Sequence, residues 1–192
     1  MQESTEPKLS APGAGLPLPE LLIARGMVKW NRLIGSTQTF DRAFDTQREV
    51  IRSLIAHCTA ESGATRVLIK RPLGLEDSSR YWSAWMTLDH LRIVNEGISA
   101  IYRALDAGIV PPGSTSTADV KPSLKVGPEI VAAYEKSCDD WVATRESGRQ
   151  EASKVRYAHP WFGPLDTIGW RFMIGTHLAI HRTQIERILQ RP

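Results

Sequence analysis

The chain has 192 residues, 42% apolar, 23% charged and 7% aromatic, with 24 Lys and Arg against 21 Asp and Glu. That length suits one domain with a tail and excludes two separate enzymes. A formal charge of +3, spread through interleaved acids and bases, leaves no electrostatic footprint for nucleic acid, so no nucleic-acid partner is expected.

Residues 1–19 hold Pro7, Pro12, Pro17 and Pro19 with Gly13 and Gly15, a composition that predicts a flexible N-terminal tail, mobile or draped on the surface. The start lacks the basic and apolar segments of a signal peptide, and Leu21-Leu22-Ile23-Ala24 is too short to span a bilayer. Cys58 and Cys138 form no CxxC and no disulfide framework. A cytoplasmic protein with no membrane partner is the expectation.

From Leu18 the apolar residues recur at three- and four-residue steps through Ile55, which predicts helix, with Gly35-Ser36-Thr37 either dividing the run or read through. The rhythm fails between Ala60 and Ser79, where only Arg66-Val67-Leu68-Ile69 reads as extended. A second helix is predicted from an N-cap at Ser78 or Ser79 to about Ala107, ended by Gly108. A third runs from about Pro128 to Glu146, and a fourth begins at Asp166 with Arg182, Arg187 and Arg191 suited to its negative end. Four long helices joined by polar loops predict an all-α four-helix bundle.

His177 and His181, spelled HLAIH, lie one turn apart on one helix face and can converge on one ion. At about 100° per residue, Trp170, Ile174, Ile185 and Ile188 project near His181, so the pair stands on the apolar, inward face. His90 falls on the core stripe of the second helix with Trp82, Met86, Ile93, Val94, Gly97 and Ile101. A histidine hydrogen-bonded within the core is the alternative reading for each alone. Three buried imidazoles without partners would cost roughly 1–3 kcal/mol apiece, and a divalent ion would give each nitrogen a bond. Leu178 stands where zinc proteases place a glutamate base, which disfavours a peptidase.

The segment His159-Pro160-Trp161-Phe162-Gly163-Pro164-Leu165-Asp166, then Trp170, then HLAIHRTQ (177–184), resembles the DinB-like superfamily of four-helix-bundle metal proteins. Ser83-Ala84-Trp85-Met86-Thr87-Leu88-Asp89-His90 is similar to that family's first metal-ligand segment. Asp166 replaces the usual threonine at the last helix start, and Gly169 weakens its first turn. The resemblance implies a DinB-like domain over residues 20–192 with a divalent ion, nickel or zinc, on His90, His177 and His181. It also implies thiol-dependent S-transferase or isomerase activity with a low-molecular-weight thiol; a small-molecule substrate, a transferase or hydrolase reaction and a homodimer are the expectations. Three neutral nitrogens would leave such an ion its full charge and open positions, acidifying a bound water or thiol. His159, Trp161, Trp85 and Trp170 are candidates for the pocket wall, and Gln184 for a hydrogen bond within the bundle or across a dimer contact. The other reading is a non-enzymatic metal-binding or stress-response module.

Overall fold

The computed structural model describes residues 6–190. Within them the chain is mostly helical: α1 (Leu18–Ile34), α2 (Thr37–Ile55), α3 (Ala60–Ala64), α4 (Ala84–Asp106), α5 (Ile130–Ser147) and α6 (Thr167–Leu189). Two short antiparallel hairpins join β1 (Val67–Leu68) to β2 (Tyr81–Trp82), and β3 (Tyr157–His159) to β4 (Gly163–Leu165). The first five residues of the expected tail and Arg191 of the last helix lie outside the described residues. No described helix is long and apolar enough to cross a membrane.

The four-helix bundle consists of α2, α4, α5 and α6. Its centre holds Phe44, Tyr102, Trp141, Ile174, Leu178 and Ile185, all essentially excluded from solvent. Trp141 anchors one end, with the Tyr102 ring perpendicular at 5.3 Å and Phe44 tilted at 6.3 Å. Burying each aliphatic or phenyl side chain here contributes roughly 1.5–3 kcal/mol. Ion pairs lock α2 to its neighbours: Asp41 with Arg171 of α6, Asp45 with Arg145 of α5, and Arg48 and Arg52 with Glu135 of α5.

The apolar run from Leu18 to Ile55 is divided rather than read through. Gly35 is extended at the junction, where a Cβ would collide with the Phe40 ring, and Ser36 caps α2 by accepting from the Thr39 amide at 3.2 Å. The division puts α1 outside the bundle, packed along α6, with Val28 as its one buried residue. Leu22, Ile23, Met27, Trp30, Leu33 and Ile34 of α1 are exposed.

The start of α4 differs from the sequence expectation. Asp77–Ser79 forms a single 3-10 turn, and Ser83 is the N-cap, accepting from the Met86 amide at 3.2 Å. The helix is delayed because Tyr81 and Trp82 pair in extended conformation with Leu68 and Val67, as aromatic residues on a pleated surface readily do. Trp82 therefore belongs to a strand and not to the helix stripe. At the other end Gly108 adopts φ +79°, the left-handed conformation that terminates α4 where expected. Asp166 caps α6 through the Gly169 amide at 3.0 Å.

Residues 10–16 do not form helix, yet they are tied down. The amides of Gly13 and Gly15 donate to Glu76 at 2.8 and 3.1 Å, and Ser10 donates to Asp77 at 2.8 Å.

Candidate metal centre

α4 and α6 run side by side and present His90, His177 and His181 to one another. One ring nitrogen from each lies within 4.8 Å of the others. The ring centroids are 4.4 to 5.0 Å apart.

Partners on the outer side set the tautomers of two rings. His90 Nδ1 donates to the Val120 carbonyl at 2.6 Å, which leaves its Nε2 as a lone pair facing His177 Nε2 at 3.1 Å. His181 Nδ1 donates to Gln184 Oε1 at 2.7 Å, and the Gln184 amide in turn donates to the Ser79 carbonyl at 2.7 Å. Gln184 thus acts within the chain, holding a ring on α6 against the turn that precedes α4. His177 Nδ1 is buried with no hydrogen-bond partner. Trp82 stacks on His181 with planes 7° apart and packs on His90 at 5.1 Å, closing the back of the cluster.

The imidazoles are held in the ligand form. Burial pushes the His90 pKa down to about 4. His177 and His181 also fall well below the usual imidazole value, first by burial and then by the adjacent rings. Three neutral nitrogens, two with their second N–H fixed by a carbonyl oxygen and one with an orphaned polar atom, suit a borderline divalent ion. Two nitrogens at about 2.1 Å from one zinc are at most about 4.2 Å apart, so only small ring adjustments are required.

The cluster opens on a cavity of about 600 Å³. Its floor is α6, its walls are α1 and α4, and its roof comes from the chain near Leu16, residues 115–121 and the β3–β4 turn. His159, Trp161 and Trp170 line it. Trp85 does not: its indole packs over Gly63 of α3 and donates to the Ala60 carbonyl at 3.2 Å. His159 Nδ1 accepts from the Trp161 amide at 3.1 Å, its ring packs against Phe162 and Trp170, and burial lowers its pKa to about 4.

Several contributors had no signature in the sequence. The Val120 carbonyl is a backbone group in a loop, and Glu20, Glu76 and Lys121 come from segments distant along the chain. Asp89 supports the Val120 loop from below, accepting from the Ser123 amide at 2.8 Å while paired with Arg92. His57 and Cys58 lie just past α2, away from this cluster, with His57 exposed.

No family model and no curated protein matches the chain. Among solved structures it is similar to TT2238, described as a four-helix bundle protein, at 15% identity and a TM-score of 0.54, over 78% of this chain and 96% of that one. The likeness supports the bundle architecture alone.

The depressed histidines predict how the metal-free protein responds to acid. An imidazole with a pKa of about 4 in the fold and 6.5 when unfolded, as for His90 and His159, takes up its proton on unfolding throughout that interval. Stability therefore falls as pH drops, by about 1.4 kcal/mol per unit for each such group. Urea unfolding of chelator-treated protein at pH 7 and pH 5, above the range where carboxylates titrate, checks the sign. The expected midpoint is lower at pH 5, and an equal or higher one contradicts the burial of neutral rings.

Proposed function

We propose that the chain is a DinB-like divalent-metal protein in which His90, His177 and His181 hold zinc or nickel and a small molecule reacts in the adjoining cavity. The observation that carries this reading is the meeting of three neutral imidazoles, two with preset tautomers, at one end of a 600 Å³ cavity. Pockets of this size suit small-molecule ligands. A bound divalent ion would supply Lewis acidity and lower the pKa of a coordinating thiol or water.

The chain's own groups favour thiol transfer over hydrolysis. Both carboxylates in the cavity wall are engaged: Glu20 by Arg71 and the Gly74 amide, each at 2.5 Å, and Glu76 by the Gly13 and Gly15 amides and Ser78. Neither is free to serve as the general base that activates water. A thiol needs less help, since its proton passes to solvent and the sulfur then bonds to an electrophilic carbon as a leaving group departs. Val120 and Gln184 orient the histidines, while Trp82 keeps water from their rear face. The same commitment of both carboxylates also favours, as second reading, a metal-binding module without turnover.

Elemental analysis of protein purified without chelators tests the centre, and conjugation of low-molecular-weight thiols to a panel of electrophiles tests the chemistry. About one zinc or nickel per chain with metal-dependent conjugation is expected. Metal without turnover selects the second reading, and no metal overturns both.

A further inference from the structure

The cavity is far more selective than its size. Ile23, Met27 and Val28 of α1 face Ile93, Ile98 and Ile101 of α4 across it. His90 and Ile101 are eleven residues apart on α4, which makes the groove roughly 16 Å long from the histidines outward. Along that length the charged groups are already committed. Glu20 and Glu76 are held as described, and Lys121 donates to Ser78 at 2.7 Å with Ser79 and Glu76 at 3.4 and 3.5 Å. The buried polar atoms left unpartnered among the lining residues are His177 Nδ1, on the ring whose Nε2 meets His90 Nε2 at 3.1 Å, and the indole N–H of Trp170.

Two features bear on what the groove can hold. Gly97 lies in the middle of α4, where glycine costs up to about 1 kcal/mol of helix propensity relative to alanine. It lines the cavity, and a Cβ there would meet nothing within 4 Å. On the opposite wall Ile23 and Met27 are 67% and 56% exposed, an apolar surface that a bound molecule would cover with gain.

We infer that the ligand of this centre is an elongated amphiphile, with one metal-binding polar head at the three histidines and an uncharged apolar body lying between α1 and α4. This rests on the metal reading above and adds the substrate class to it. A multiply charged body would have to desolvate against aliphatic walls whose charged groups are already paired. An apolar body instead gains with each methylene it buries.

Alkyl hydroxamates of increasing length test this on the zinc-loaded protein, with acetohydroxamate reporting the head alone. Calorimetric affinities should rise about three- to fourfold per methylene over the first several carbons, giving decanohydroxamate an advantage of at least about 100-fold over acetohydroxamate. The ratio of the two is read within each variant. Gly97→Phe, which fills the groove from α4, should cut it at least tenfold. Ile23→Glu, an exposed change on the opposite wall, should do the same should the first variant fold poorly. A ratio near one in the native chain overturns the inference, including the case in which light scattering shows a second copy covering α1. So does a full ratio retained in both variants. These failures leave zinc content and acetohydroxamate binding in place, whereas failure of the metal reading removes both.

Discussion

Replacing His177 with alanine should weaken zinc binding by at least about 1,000-fold, roughly 4 kcal/mol at 1.4 kcal/mol per decade. Two nitrogens would remain from His90 and His181, and no carboxylate is free at the cluster to substitute. Competition against a chromophoric chelator measures the change directly. A loss through misfolding is separable, because the substitution removes an orphaned nitrogen, Nδ1, together with a single contact from Nε2 to His90 at 3.1 Å. Chelator-treated His177→Ala should therefore still unfold cooperatively in urea, within about 1–3 kcal/mol of chelator-treated native protein. Gln184→Leu supplies the graded control. It keeps all three imidazoles but frees His181 Nδ1 from its acceptor, and loss of such an outer partner lowers metal affinity by about 10- to 100-fold. Equal affinity in His177→Ala and the native chain would dissolve the centre.

The three-histidine cluster was legible because helical period and residue type coincide in it. His177 and His181 stand at i and i+4 on the stripe that also carries Ile174 and Ile185, and His90 shares a stripe with Ile98 and Ile101. What surrounds the cluster was not legible, for identifiable reasons. Val120 contributes a carbonyl, which every residue possesses, and it reaches His90 only because Asp89 anchors the loop at Ser123. Trp82 fits the helical stripe of α4 as well as it fits a strand, and pairing with Val67 decides the matter. The same tertiary preference separates α1 from the bundle. Leu22, Met27 and Trp30 have the spacing of a core helix, yet the four places around the core are taken by α2, α4, α5 and α6, so α1 becomes a cavity wall.

The seam that positions the helix of His177 and His181 carries the second large effect. Arg171 is 3% exposed, and its guanidinium meets Asp41 of α2 through Nε at 2.7 Å and Nη2 at 2.5 Å, while Nη1 donates to Gln150 at 3.2 Å. Removing one partner of such a pair strands the other, at about 3–5 kcal/mol for fully buried groups. The Asp41 carboxylate retains 21% exposure, so solvent screens part of this and about 2–3 kcal/mol is expected for Asp41→Ala. Arg171→Met should cost less, because the carboxylate it leaves behind can rehydrate and still lies 3.9 Å from Arg145. The double variant should be more stable than the sum of the two losses predicts, by about 1–3 kcal/mol of coupling in urea denaturation. Additive losses would mean that the two side chains stabilise the seam independently, through packing alone. Metal content discriminates further: Arg171 is six residues before His177, nearly two turns away at 3.6 residues per turn, so the double variant should bind zinc as tightly as the native chain. A pair that fastens α6 to α2 without touching the histidines changes how firmly the helix is held and leaves the imidazole nitrogens where they are.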